Sequence, residues 1–281
     1  MIISASRRTD IPAFYSDWLV NRLNAGHCLV INPFNPAQVK RVSLLPEDVD
    51  GIVFWTKNAA PLLPKLSALD SYSYYFQYTI TPYHSDIEAS LADKKREIIP
   101  AFLKLAETIG SKRMIWRYDP IIITPRYSYD YHIRAFSKLC GLLAGSCEKC
   151  VISFAIAYKS VAKNLAGIGH LEVTAKDKLR LAEALLRIAK EHGIKLCACC
   201  ELPGLYARGV QPISCVDASL FGVDASRDKN QREGCNCAVS VDIGAYNSCM
   251  NGCRYCYANH SEAKVRQNYA AHRAESEVLV G

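Results

Sequence analysis

No apolar run in this 281-residue chain reaches the ~18 residues that a membrane-spanning helix requires. The opening Met1-Ile2-Ile3-Ser4-Ala5-Ser6-Arg7-Arg8 also lacks the long apolar stretch of a secretory leader. A membrane protein or an exported protein is therefore not expected, and a cytoplasmic one is. Internal repeats and low-complexity tracts are missing too, which leaves a chain long enough for one large domain with a real core. No stripe of clustered Arg and Lys tracks a phosphate backbone. The formal charge of +7 still admits an anionic partner, nucleic acid among them.

What the chain does have is cysteine. It carries thirteen, an odd number, in a sequence that is half apolar. A disulfide scaffold would be smaller and poorer in aliphatic residues. In a reducing compartment, clustered cysteines point to metal or redox chemistry instead.

Short apolar runs recur and most are followed by helix-like stretches. Strands are expected at Ile2–Ser6, Cys28–Asn32, Gly51–Thr56, Tyr74–Ile80, Met114–Ile122, Val151–Ala157, Leu196–Cys200 and Ala238–Ile243. Several are apolar throughout, as strands buried on both faces are. Helices are expected at Ala13–Asn24, Ala59–Leu69, Ile87–Ile109, Tyr129–Leu143, Thr174–His192 and Ala258–His272. Asp86 is a plausible cap for the third, although Pro100 must kink or break it. Alternating strands and helices imply a parallel sheet, and seven or eight such units suggest a (β/α) barrel, complete or nearly so, spanning residues 1–281 as one domain. Asn32-Pro33-Phe34-Asn35-Pro36 before Val39–Leu44 reads as an inserted hairpin. The stretch 203–237, rich in Gly, Ser, Asp and Arg and without a period, reads as a long functional loop carrying Cys215.

In a parallel barrel the chemistry gathers at the C-terminal ends of the strands. Those ends are polar here: Arg7 and Asp10, Thr56-Lys57, Gln77 and Thr79, Arg117-Tyr118-Asp119, Glu201 and Asp242. Charges buried there are costly unless paired or bound to a ligand. Mutual pairing of Arg7, Arg117, Asp10 and Asp119 is the plainest alternative to a ligand.

The most specific signal is the run Cys249-Met250-Asn251-Gly252-Cys253-Arg254-Tyr255-Cys256. Three thiolates at this C-x3-C-x2-C spacing can hold three irons of a [4Fe–4S] cube and leave the fourth iron open for reaction. Scattered cysteines would produce the spacing by accident in about 3% of such chains, so the flanks matter. A strand leads in, a helix-like stretch leads out, and Tyr255 precedes the third cysteine. The chain thereby resembles the radical S-adenosylmethionine superfamily, whose signature is C-x3-C-x-aromatic-C on the loop after a barrel strand. The resemblance implies Cys249, Cys253 and Cys256 as cluster ligands and Tyr255 beside the adenine. In that superfamily the motif follows the first strand; here it follows the last, which implies a circular permutation with Ile2–Ser6 beside the cluster strand. Thr56-Lys57, Gln77-Tyr78-Thr79, Arg117-Tyr118-Asp119-Pro120 and Thr9-Asp10-Ile11-Pro12 are similar to elements of the spore photoproduct lyase branch. The layout also resembles an uncharacterised family with a C-terminal cysteine cluster.

That resemblance implies an enzyme that takes S-adenosylmethionine at the open iron, draws an electron from a flavodoxin or ferredoxin, and generates a 5′-deoxyadenosyl radical for hydrogen abstraction from a substrate. Arg7, Lys57 and Arg117 are then candidates for the cofactor's carboxylate or an anionic substrate. Asp10, Thr79 and Asp119 are candidates for its amino and ribose groups. A second expectation is a non-catalytic iron–sulfur carrier or redox sensor. A third is a zinc-stabilised barrel hydrolase using Asp10, His84, Asp119 or Glu201. Cys199 or Cys200 with Cys215, Cys235 and Cys237 could hold an auxiliary Fe–S cluster or a Zn²⁺. Cys147 and Cys150 read as surface residues at the opposite end of the fold.

Overall fold

The computed structural model describes residues 1–156 and 161–281. Ten strands are present among them: β1 (Ile2–Ala5), β2 (His27–Asn32), β3 (Asn35–Ser43), β4 (Gly51–Thr56), β5 (Tyr74–Thr79), β6 (Met114–Ile121), β7 (Lys149–Phe154), β8 (Lys195–Ala198), β9 (Gln211–Pro212) and β10 (Val241–Asp242). The expected sixth strand ended at Ala157, which lies outside the described residues. Eight of the ten form one sheet in the order β10-β1-β4-β5-β6-β7-β8-β9, paired in parallel throughout. β2 and β3 form a separate antiparallel hairpin, so the run expected as the second sheet strand never joins the main sheet.

The sheet is open. β9 and β10 are its two edges, each only two residues long, and no ladder joins them. This overturns the expectation of a complete or nearly complete (β/α) barrel; the architecture is a Rossmann-like open α/β sheet. The circular permutation presupposed a closed barrel and falls with it. What remains is local: β10, which leads into the cysteine loop, lies parallel beside β1, with Ile3 opposite Val241 and Ser4 opposite Asp242.

Strand alternation sorts the side chains onto two unlike faces. On one face Ile52 and Phe54 of β4, Phe76 and Tyr78 of β5, Trp116 and Tyr118 of β6, and Ile152 of β7 form the main core. Helices cover it: α1 (Ile11–Phe14) and α2 (Ser16–Asn24), then α3 (Ile99–Ile109), α4 (Tyr129–Leu143) and, after α5 (Ala162–Gly167), which packs its Leu165 in a separate cluster with Tyr83, Ile122 and Tyr127, α6 (Ala175–Glu191). The stripes facing the sheet are Trp18 and Leu19, Phe102 and Leu105, Phe136 and Leu143, and Leu181 and Leu185. Each such side chain contributes roughly 1.5–3 kcal/mol by leaving water. Trp116 and Phe136 stack at 5.1 Å. α4 begins where Ser128 caps the Tyr131 N–H, and α6 where Thr174 caps that of Asp177. Each cap satisfies a donor the helix cannot.

The other face carries Ile2, Val53, Tyr75, Ile115, Val151 and Cys197. No long helix covers it. The segment after β9 folds across it instead, bringing a single 3₁₀ turn at Ala218–Phe221 and buried Cys215, Val216, Cys235 and Cys237, whereas the short α7 (Pro203–Tyr206) packs its Leu205 into the main core. Phe221 lies against Tyr75 at 5.3 Å and over Gly51, where a Cβ would meet the Phe221 ring at 2.2 Å. Gly51 thus permits the close approach. α8 (Glu262–Ala271) follows the cysteine loop.

The single helix expected at Ile87–Ile109 is overturned. Residues 84–92 run in turns and a bridge. Asp93, not Asp86, caps the helical stretch, accepting from the Lys95 and Arg96 N–H groups, and Pro100 stands in the first turn of α3. The stretch Ala59–Leu69 forms only a 3₁₀ helix at Leu63–Leu69. Cys147 and Cys150 are buried, not on the surface. They lie with Cys140 in the helix-side core, where burial pushes the Cys147 thiol up to about 12. They are packing residues there.

Candidate functional site

Two cysteine groups lie at the C-terminal side of the sheet. The first is the loop 249–256. Gly252, at φ +64°, turns it, a conformation glycine adopts without steric cost. The turn hands the loop to the segment after β5: Ala89 and Ser90 N–H donate to the Gly252 and Asn251 carbonyls, and Arg254 N–H donates to that of Ile87. Tyr15 Oη donates to the Ser248 carbonyl at 2.6 Å, and Asn259 Nδ2 to that of Cys249 at 2.6 Å. The loop is therefore fastened at several points, not a loose tail.

Two buried carboxylates stand beneath it. Asp10, at the start of α1, accepts from Thr56 Oγ1 at 2.7 Å, Lys57 N–H at 2.7 Å, Ala13 N–H at 3.2 Å and Asn251 Nδ2 at 3.1 Å. Burial raises its pKa against these donors. Asp10 thus couples β4 to the cysteine loop and has no arginine partner. Glu88 accepts from Lys57 Nζ at 2.7 Å, Thr81 Oγ1 at 2.7 Å, Tyr255 Oη at 2.5 Å and Lys94 Nζ at 2.5 Å. Burial alone would raise its carboxyl; Lys57 and Lys94 overcome it and hold the group at about 2. Burial pulls both lysines down while Glu88 pulls them up, and the carboxylate prevails at Lys57 but not at Lys94. Lys57 Nζ lies 5.4 Å from the centre of the Tyr255 ring, within cation–π range.

Cys249, Cys253 and Cys256 keep part of their surface accessible. All three are nonetheless deep enough among protein atoms that burial pushes their thiols up, Cys253 to about 12 even with Lys57 drawing it down. The three act electrostatically on one another. They are not drawn together within 4.8 Å, the spacing of the second group.

The second group lies across the helix-free face. Cys199, Cys235 and Cys237 are buried with their sulfurs within 4.8 Å of one another, so they could hold a metal ion or a cluster. Cys215 lies close enough to act on the thiols of both Cys199 and Cys237. The neighbouring Cys199 and Cys215 thiols draw the Cys237 thiol down, and its sulfur also accepts the Val216 N–H at 3.5 Å. Cys215 and Cys237 in turn push the Cys199 thiol up. Cys200 is outside this set; its sulfur lies 3.5 Å from that of Cys199.

Arg7, Arg117 and Trp55 lie between the groups. Arg117 donates to Gln77 Oε1 at 3.1 Å, to Cys215 Sγ at 3.3 Å and from Nε to Asp119 at 3.1 Å. Asp119 also accepts from Ser153. The expected carboxylate pairing therefore holds for Arg117 with Asp119 only. Arg7 lies over the Trp55 ring at 5.0 Å, Arg117 at 5.4 Å, and no ion pair forms at Arg7 among the described residues. Tyr257 Oη donates to the Arg7 carbonyl, linking this region to the first loop. Asp242 ties the ends of β10 and β1, accepting from Ser6 Oγ at 2.5 Å and Arg7 N–H at 2.8 Å. Thr79 is partly buried at the end of β5, away from any side-chain bond that would tie it to either cysteine group.

So Asp10, Lys57 and Tyr255 gather with the first three cysteines, while Arg117 and Asp119 gather with the second group. Glu88, Lys94, Thr81, Asn251 and Trp55 were missed from sequence. Glu88 is an acid inside an apparent helix, and nothing in the sequence marks it as a hub.

The sequence matches the family described as "Domain of unknown function (DUF1848)" over residues 2–258. The chain belongs to that family. The matched stretch contains both cysteine groups. No curated protein and no solved structure matches the chain. Among the described residues no helix is long and apolar enough to cross a membrane.

Proposed function

We propose that this family member is a radical S-adenosylmethionine enzyme, with Cys249, Cys253 and Cys256 as the ligands of a [4Fe–4S] cluster. The observation that carries the reading is the setting of the three thiols. They lie together on a loop following a parallel strand, over a buried Asp10–Lys57–Glu88 network. Three soft donors and no fourth fit a cube with one open iron. When bound, the reduced cluster and S-adenosylmethionine supply one-electron cleavage of the sulfonium, yielding methionine and a 5′-deoxyadenosyl radical that abstracts hydrogen.

This chain's residues hold and orient. Asp10 fixes the Asn251 amide and the Lys57 backbone at one spot, which sets the height of the loop above β4. Glu88 neutralises Lys57 and anchors the Tyr255 hydroxyl, so the aromatic ring that precedes Cys256 keeps one orientation. Arg7, half-buried over the Trp55 ring, forms no ion pair among the described residues but acts on the Asp228 carboxylate, and is the group best suited to an anionic portion of cofactor or substrate. Cluster binding by thiols raised above their usual value releases protons. The electron donor is expected to be a flavodoxin- or ferredoxin-type protein. The test is an anaerobic assay of reconstituted protein with strong reductant: 5′-deoxyadenosine forms, and Cys253→Ala abolishes it. A non-catalytic iron–sulfur protein would hold the iron and form none.

A further inference from the structure

We propose that Cys199, Cys215, Cys235 and Cys237 hold a single zinc ion, and that this ion fastens residues 213–237 to the helix-free face of the sheet. The site is independent of any cluster on the first loop.

Sulfur spacing argues for one ion. Zn–S bonds of ~2.3 Å in a tetrahedron place neighbouring sulfurs roughly 3.8 Å apart. Cys199, Cys235 and Cys237 already lie within 4.8 Å of one another, and Cys215, buried in the same cluster with its sulfur 3.3 Å from Arg117, lies close enough to act on the Cys199 and Cys237 thiols. A cube would need the sulfurs farther apart, one to each iron. The surroundings are those of a thiolate site. Val216 N–H points at Cys237 Sγ and Cys237 N–H at Cys235 Sγ, each at 3.5 Å, and the Arg117 guanidinium lies 3.3 Å from Cys215 Sγ. Four thiolates around Zn²⁺ carry two excess negative charges. Backbone donors and one buried cation offset them. A closed ligand set with no open position is structural, not catalytic.

The need for a staple is visible in the fold. Between α7 and β10 the chain has a two-residue strand and one 3₁₀ turn. It covers the face formed by Val53, Tyr75, Ile115 and Val151 with Ile213, Val216, Ala218, Phe221 and Ala238 besides the cysteines themselves. Its other ties are single hydrogen bonds: Tyr75 Oη and Gln77 Nε2 donate to the Cys215 carbonyl at 2.8 and 2.9 Å, Asp217 N–H donates to Tyr75 Oη at 2.9 Å, Ile213 N–H donates to the Ala198 carbonyl at 3.1 Å, and Arg232 donates to the Cys199 carbonyl. The four ligands come from β8's end and two distant points of the segment, so one ion closes the whole span.

The test uses the full chain with Cys249→Ala, Cys253→Ala and Cys256→Ala, which removes the first group only. About one zinc and no iron per chain is expected. Cobalt substitution should give the intense visible bands of a tetrahedral tetrathiolate. No bound metal, or iron in fours, overturns the proposal while leaving the first site untouched. In the wild-type chain, Cys235→Ser with Cys237→Ser should lose the zinc. Trypsin cleavage within the segment, at Arg227 or Lys229, should then speed up by at least about tenfold. Zinc retained by that variant also overturns it. Should either variant fail to fold, mercurial titration of wild type decides: about four thiols modified per zinc released supports the site, and zinc release without thiol modification refutes it.

Discussion

Replacing Glu88 by Gln removes one charge from the centre of the network under the first cysteine loop. Glu88 is 2% exposed, and its carboxyl is held at about 2 against a free value of 4.5. That separation is worth roughly 3 kcal/mol at neutral pH. A carboxyl held low in the folded chain stabilises fully above its unfolded value and loses that contribution as pH falls toward the folded one. The contribution is thus nearly complete above about pH 5, and roughly 2 kcal/mol of it is gone by pH 3. In Glu88→Gln the Lys57 and Lys94 ammonium groups stay buried without a counter-charge, so the cost at pH 7 should be about 3–5 kcal/mol. Urea unfolding of both proteins at pH 7 and pH 3 measures it, and other titrating groups cancel in the difference. The gap should narrow by roughly 2 kcal/mol on acidification. A loss at pH 7 below about 1 kcal/mol, or a gap that does not change with pH, would refute the network's role.

His132 is buried, accepts from Tyr118 Oη at Nδ1 (2.8 Å) and donates from Nε2 to the Ile122 carbonyl (3.1 Å), which fixes the neutral Nε2–H tautomer. Burial holds its pKa at about 4, so stability is full above the unfolded value near 6.5 and falls as pH drops toward 4; nitrogen chemical shifts should show a neutral ring at pH 5, and a charged ring there contradicts the packing. Gly252 turns at φ +64°, with Ser90 Oγ 3.1 Å from where a Cβ would stand. Gly252→Val should therefore destabilise the cysteine loop by about 1–3 kcal/mol and lower iron content on reconstitution, and unchanged iron loading would show that the turn does not set the loop.

Much of the sheet was legible because its strands are buried on both faces. β4 was read at its observed bounds, Gly51–Thr56, and α4 at Tyr129–Leu143, where an apolar stripe follows a serine cap. Closure was not legible. It turns on whether β9 and β10 pair, and two-residue edges carry no signal for or against that. The apolar period of Ile87, Ile98, Ile99 and Phe102 suggests one long helix, but Glu88, Thr81 and Lys57 claim the first part for a polar network, and tertiary hydrogen bonds outweigh local propensity there. Cys199, Cys215, Cys235 and Cys237 were readable as a group from type and topology. The choice of Cys199 over Cys200 as the member close to Cys235 and Cys237 needed the direction of each side chain after β8.

The most direct measurement is the product ratio from anaerobically reconstituted, fully reduced protein mixed with S-adenosylmethionine. Equimolar methionine and 5′-deoxyadenosine, dependent on Cys249, Cys253 and Cys256, is the predicted result. Intact S-adenosylmethionine after incubation with protein carrying a full four-iron load on that loop would contradict the account.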